Sequence, residues 1–281
     1  KLLVVKTLGR KGECELAFVS LESKRVVQEL EMPKSDANFG GVAWDSDGTR
    51  VWATDASGKL CAASRQADGT LAWSDEIPLP GPGGRGKSAP GGIAIDDTRH
   101  CLYVALSENN TIAFVSPAEK KVVAEVEVGM APYMVLICGE KAYVTNWAGR
   151  RPVKGEKTGL SGRSQVLVDP KTGVASSGTV SVVDLNARKT VCEIEVGLHP
   201  SGMALSPDKS RLYVANANSD TVSVIDTASD RVTHTFSAKP VKEIPFGSAP
   251  NALAVSPDGN TLYVANGGNN LIAVLDAHKG K

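Results

Sequence analysis

Three stretches of this 281-residue chain carry residue types that could do chemistry. Gly81-Pro82-Gly83-Gly84-Arg85-Gly86-Lys87-Ser88 fits the phosphate-loop pattern G-x-x-x-x-G-K-[ST] at every position and holds G-x-G-x-x-G at 81–86. Phosphate binding by such a loop needs a helix opening at the lysine, because its free amides and dipole cradle the anion. Here Pro90 follows closely and Gly91-Gly92-Ile93-Ala94-Ile95 reads as a strand, while Pro78, Pro80 and Pro82 interrupt the approach. Without the helix the motif is only a Gly/Pro linker, and no nucleotide site is expected.

The second stretch is basic. Between residues 147 and 177 lie Arg150, Arg151, Lys154, Lys157, Arg163 and Lys171, six cations against the carboxylates Glu156 and Asp169. Arg85 and Lys87 in the linker at 80–90 add to it. Cations gathered on one side of a rigid scaffold draw anions and speed their encounter. The competing reading is a solvated flap kept soluble by its lysines. The third stretch is Gly197-Leu198-His199-Pro200. The chain's other copies of this connection carry Ala89, Ala131 and Ala249, so His199 departs from its own pattern. An imidazole there is either a proton carrier and ligand contact or a packing residue. His100, His234 and His278 show no metal-ligand spacing.

Other chemistry is missing from the pattern. Cys14, Cys61, Cys101, Cys138 and Cys192 lie about forty to fifty residues apart with no C-x-x-C pair, unlike zinc or haem-attachment spacings. They sit in apolar runs and read as buried thiols, so they do not report the compartment. There is no G-x-S-x-G elbow, H-E-x-x-H pair, calcium loop or paired-carboxylate signature. No catalytic residue, metal or cofactor is assigned. Asn109-Asn110-Thr111 matches a glycosylation acceptor but falls in a tight turn.

Composition removes whole classes of function. Thirty-one Lys and Arg balance thirty-one Asp and Glu, which leaves no basic footprint for nucleic acid. No apolar run reaches the ~18 residues of a membrane span. At 42% hydrophobic residues and zero net charge the chain is not a disordered one. It begins with Lys1 and shows no signal peptide.

The elements that position these stretches repeat. Leu102-Tyr103-Val104-Ala105, Ala142-Tyr143-Val144-Thr145-Asn146, Leu212-Tyr213-Val214-Ala215-Asn216 and Leu262-Tyr263-Val264-Ala265-Asn266 are copies of one phrase, with a weaker copy at Val51-Trp52-Ala53-Thr54-Asp55. An alternating run such as Thr221-Val222-Ser223-Val224-Ile225-Asp226 follows, then a polar turn and a further run. Before each phrase stands a run closed by a turn such as Ser256-Pro257-Asp258-Gly259. Period-two alternation rich in Val, Ile, Thr and Tyr, bounded by such turns, means strands. Each unit is a four-stranded antiparallel meander of about 40–50 residues, the signature of a β-propeller blade; solenoid coils are about half that length or less. Blades are expected at 40–80, 91–129, 132–197 and 201–247. Residues 1–32 supply strands 2 to 4 of another, and 251–281 supply strands 1 to 3 of a last one. About six blades are represented in one all-β domain over 1–281. Either the chain is a segment of a longer, seven-bladed ring, or it is a six-bladed ring with two short blades.

The Tyr-Val-Thr-Asn and Tyr-Val-Ala-Asn phrases at 143–146, 213–216 and 263–266, with the Pro-Asp-Gly turns, resemble the YVTN-repeat (YncE-like) β-propellers over nearly the whole chain. That family is bacterial or archaeal and often exported, which implies a periplasmic or extracellular setting. The insert, with Gly149-Arg150-Arg151-Pro152, Val168-Asp169-Pro170-Lys171-Thr172-Gly173 and Ala175-Ser176-Ser177-Gly178, is similar to the propeller half of bacterial proteins that add a C-terminal alkaline-phosphatase-like phosphoesterase domain. The resemblance implies a binding scaffold partnered by such a domain.

In a blade meander the 2–3 loops and the connections from strand 4 to the next strand 1 share one side, and this is where the insert falls. Long loops on a rigid frame are where function concentrates. Candidate contacts to an anionic ligand or partner are Arg150, Arg151, Lys154, His199, and the residues ending strand 2: Asn146, Trp147, Asn216 and Asn266. The asparagines have a competing role as turn caps. The rival function is a propeller enzyme of lactonase or quinoprotein-dehydrogenase type, since propellers host both roles.

Overall fold

A computed structural model describes residues 1–8, 14–33, 40–239 and 247–280. The protein is an all-β propeller whose sheets follow the repeat. Four sheets have four strands in meander order: Val42–Trp44, Arg50–Asp55, Lys59–Arg65 and Leu71–Pro78; Pro90–Asp96, Cys101–Leu106, Thr111–Ser116 and Lys121–Glu127; Pro132–Cys138, Lys141–Asn146, Thr179–Asp184 and Lys189–Glu195; Pro200–Leu205, Arg211–Asn216, Thr221–Asp226 and Arg231–Ser237. These are the second to fifth blades, close to the ranges expected from the sequence. Three-stranded sheets stand on either side in sequence. The first blade is Leu2–Leu8, Cys14–Ser20 and Arg25–Glu31; the sixth is Pro250–Val255, Thr261–Asn266 and Leu271–Asp276. Parts of three expected blades, at 9–13, 240–246 and Lys281, lie outside the described residues.

The chain forms two compact units, residues 1–109 with 113–125, and 110–112 with 126–281. Within the first, Leu16, Phe18, Val51, Ala53, Cys61 and Ala63 make one apolar layer between blades, and Leu60, Ile77, Leu102, Val104 and Val115 contribute to another. Within the second, Tyr143, Val180, Val182, Leu212 and Val214 pack the fourth blade on the fifth, and Tyr213, Val222, Val224, Leu262 and Val264 pack the fifth on the sixth. Burying each such aliphatic side chain contributes about 1.5–3 kcal/mol, which a lone four-stranded sheet cannot collect.

The repeated phrase is a blade-to-blade fastener. Its tyrosine is fully buried at Tyr143 and Tyr213. Tyr143 Oη donates to Asp230 Oδ1 at 2.6 Å, and Lys141 Nζ holds the other oxygen at 2.7 Å. Tyr213 Oη donates to the Ala277 carbonyl at 2.9 Å. Tyr263, in the sixth blade, is 42% exposed. Hydroxyls stitch the inner strands too: Thr145 Oγ1 donates to the Ser201 carbonyl at 2.9 Å and Ser201 Oγ to the Pro250 carbonyl at 3.1 Å. The Ser-Pro-Asp turns close as expected. Ser256 Oγ bonds Asp258 at 2.5 Å, and Gly259 takes φ +76°.

Candidate functional site

The loop-rich end of the third to sixth blades is built by one recurrent latch. A non-glycine residue in left-handed conformation precedes the proline that opens strand 1: Ala89 (φ 47°), Ala131 (52°), His199 (56°) and Ala249 (43°). Its carbonyl accepts the amide of the residue just past strand 2: Ser107 at 3.2 Å, Trp147 at 3.0 Å, Ala217 at 3.1 Å and Gly267 at 3.1 Å. This places the end of strand 2 and the connection to strand 1 side by side, on the end that carries the insert.

The three asparagines ending strand 2 are almost wholly enclosed: Asn146 and Asn216 are 0% exposed and Asn266 is 1%. Asn146 donates its amide to Thr179 Oγ1 at 3.0 Å and Ser181 Oγ at 2.9 Å; Asn216 does the same to Thr221 and Ser223; Asn266 reaches the Ala238 carbonyl at 2.8 Å. They tie strand 2 to strand 3 and to the end of strand 4. The connection must approach them without a side chain. A Cβ on Gly129 would lie 2.6 Å from Asn146 Nδ2, and one on Gly197 2.6 Å from Asn216 Cβ. That close approach explains glycine at both positions.

Trp147 and His199 come together. Their ring centroids are 4.3 Å apart and the planes tilt by 53°. Tyr133 lies on the same indole, also at 4.3 Å, with the planes within 20° of parallel. All three rings are half-buried. Burial lowers the His199 pKa below the ordinary histidine value and raises that of Tyr133, with no charged neighbour contributing to either shift. Sequence reasoning passed over Tyr133. The signal was present, because the residue after the opening proline is Gly91, Ser201 or Asn251 in the other copies.

The insert folds into a hairpin, Thr158–Ser161 against Ser164–Leu167, extended by a bridge from Val168 to Ala175. Met130, Ala131, Ala148, Val166 and Val168 form its small core, with Trp147 packed on it. Its two leading arginines are engaged internally. Arg150 makes a bidentate pair with Glu156, at 2.5 and 3.0 Å, and holds that carboxyl down to a pKa of about 2. Arg151 donates to the Asn110 carbonyl at 3.2 Å and lies 3.9 Å from Glu127. Lys154, Lys157 and Lys171 are exposed and, among the described residues, have no carboxylate partner. A cleft of about 340 Å³ beside the hairpin is lined by Arg150, Glu156, Ser177, Glu195 and Leu198.

A larger cleft, about 610 Å³, opens at the turns of the second and third blades, with Asp45, Trp52, Asp75, Asp96 and His100 among its walls. Size alone does not make it the better candidate. Asp75 is bound by Lys120, which lowers its pKa, and Asp96 by Arg99 at 2.8 Å. Among the described residues no group of three or more His, Cys, Asp or Glu could hold a metal. The phosphate-loop look-alike is a tight loop: Pro82–Gly84 is a single 3₁₀ turn, Gly83, Gly84 and Gly86 take positive φ, and a strand opens at Pro90. Ser88 is fully buried, its hydroxyl donated to the Leu79 carbonyl at 2.6 Å.

Blades of this kind, a loop-rich end and an inserted hairpin define a β-propeller with one elaborated side. Residues 180–281 match the family described as lactonase, 7-bladed beta-propeller. Among solved structures, hydrazine synthase from Kuenenia stuttgartiensis superposes with a TM-score of 0.72 at 18% identity, over 98% of this chain and 74% of that one. A functionally unknown protein from Desulfotomaculum acetoxidans superposes with a TM-score of 0.65 at 14% identity, over 93% and 72%. At these identities the likeness is one of fold. No curated protein matches the chain.

Proposed function

We propose that this chain is a non-catalytic β-propeller scaffold that binds an anionic ligand or partner through the insert-bearing side. The observation that carries the reading is the distribution of charge on the insert. Glu156 occupies Arg150, whereas Lys154, Lys157 and Lys171 stand exposed with no carboxylate partner among the described residues. A rigid frame with unneutralised cations on one loop cluster suits capture of a phosphate-bearing or acidic surface. On this reading Arg151, His199 and Trp147 border the site, and the buried Asn146, Asn216 and Asn266 shape it from beneath. The resemblance to propeller–phosphoesterase proteins makes a phosphoesterase-type domain of a longer exported bacterial protein the natural partner.

Titration with inorganic pyrophosphate, followed calorimetrically at low and high salt, tests the reading. Binding should weaken with salt and be lost in the K154E/K157E/K171E variant; salt-independent binding, or none, overturns it. The second reading is a propeller enzyme of lactonase or quinoprotein-dehydrogenase type; for the lactonase form, whose family description residues 180–281 match, the chemistry is ring-opening hydrolysis of a lactone. Turnover of a simple lactone, abolished by His199→Ala, would replace the first reading.

A further inference from the structure

Trp147 and His199 border the proposed anion site, but the stack they form with Tyr133 supplies none of the cations that would hold the anion. Tyr133 stands where the other three latched blades have Gly91, Ser201 and Asn251; Trp147 where they have Ser107, Ala217 and Gly267; His199 where the latch elsewhere has Ala89, Ala131 and Ala249. Three departures scattered over 67 positions of sequence meet at one point, with ring centroids 4.3 Å apart along the series Tyr133, Trp147, His199. The backbone latch does not require them. The backbone latch closes at 3.0–3.2 Å whether its members are alanine, glycine, serine, tryptophan or histidine.

The polar atoms of these rings are also unlike those of the framework. Tyr143 and Tyr213 spend their hydroxyls on Asp230 and on the Ala277 carbonyl. Among the described residues no hydrogen bond reaches the Tyr133 hydroxyl or either His199 nitrogen, and burial alone shifts both groups. Trp147 Nε1 is buried without a partner. Buried polar atoms are ordinarily satisfied, so this enclosed indole N–H calls for an explanation. The nearly parallel Tyr133–Trp147 pair is a short ring stack, a geometry that a flat aromatic ligand can extend by offset stacking. A puckered ring would meet them only through its edge. The tips supply a hydroxyl and an uncharged imidazole, each able to donate and accept, which suits a neutral ligand rather than an ion.

We infer that Tyr133, Trp147 and His199 form a stacking site for a neutral planar aromatic ligand with hydrogen-bonding groups on its edge. The site uses none of the insert lysines, so it stands or falls apart from the anion-binding reading. The indole N–H resonances of ¹⁵N-labelled protein, with Trp147 assigned through Trp147→Phe, report occupancy directly. Indole and 4-hydroxybenzamide serve as probes, cyclohexanol as the non-planar control and benzoate as the anionic one.

The aromatic probes should shift the Trp147 resonance saturably. Affinity should fall at least 10-fold in His199→Ala and in Tyr133→Ser, which install residues the repeat carries elsewhere; unchanged melting curves establish that both fold. K154E/K157E/K171E should bind the probes as the parent does. No shift with either aromatic probe, or equal affinity in both ring variants, overturns the site. Equal shifts with cyclohexanol overturn planarity as its criterion, and stronger binding of benzoate overturns neutrality.

Discussion

Trp147 and His199 belong to successive blades, yet their ring centroids lie 4.3 Å apart. His199 thereby exchanges water for an indole and gains no compensating charge, so its pKa falls below the ordinary histidine value. The unfolded chain then binds the proton more readily than the folded one, and stability falls as pH drops through the unfolded value near ~6.5 toward the lower folded one. An NMR titration should place the His199 midpoint below that of an exposed histidine. His199→Ala should hold its stability better than the parent between neutral and mildly acidic pH; equal pH slopes for the two proteins would refute this.

Gly197 and Gly129 are predicted to resist even alanine. The added Cβ meets Asn216 at 2.6 Å or Asn146 at 2.6 Å, and on Gly129 also the Gly149 carbonyl oxygen at 2.5 Å. Overpacking of this kind costs about 1–3 kcal/mol. Chemical denaturation of Gly197→Ala and Gly129→Ala should show that loss, whereas Gly139→Ala should lose only what its left-handed backbone imposes, since nothing lies within 4 Å of its Cβ.

The clamp on Asp230 should be visible in stability. Tyr143→Phe removes a 2.6 Å bond to a carboxylate from a fully buried ring, a change of about 1.5–3 kcal/mol. The same substitution at Tyr263, 42% exposed, should stay within about 0.5 kcal/mol. Equal losses at the two positions would contradict the assigned role.

Glu156 should titrate near 2, because Arg150 holds its ionised form. A carboxyl whose folded value is depressed adds stability that is complete above the unfolded value, about 4.3, and disappears as pH falls through the folded one. Glu156→Gln should remove that acid sensitivity and leave Arg150 mobile by NMR, while the fold persists. Retained order at Arg150 would show that the pair does not position it.

The thiols should separate by burial. Cys61 is 1% exposed with its pKa pushed up to about 12, and Cys14 is equally enclosed. Cys101, Cys138 and Cys192 are partly open. A disulfide reagent at neutral pH should label the latter group first and reach Cys14 and Cys61 only on unfolding, because the thiolate is the reacting form.

Most of the fold was legible in the residues, because a strand announces itself through period-two alternation and a turn through Pro, Asp and Gly at fixed offsets. The copies of Leu-Tyr-Val-Ala-Asn gave strand type, meander order and blade length, and the Pro90 strand excluded a helix at Lys87. His199 was visible as a break in its own repeat. Its partner Tyr133 was equally a break, but one that only a position-by-position comparison of strand 1 exposes.

What the repeat could not state was where side chains go once blades pack. Asn146, Asn216 and Asn266 end their strands at a loop-bearing side, which in one dimension resembles exposure; neighbouring strands and the glycine connections enclose them. Six cations in the insert counted alike as formal charges, until the hairpin brought Glu156 against Arg150 and left the lysines outside. Local periodicity is fixed by neighbours in the chain, so the sequence determined the blades. Contacts between residues far apart in the chain arise only when sheets stack, so the tertiary structure alone decided that Tyr133, Trp147 and His199 would touch.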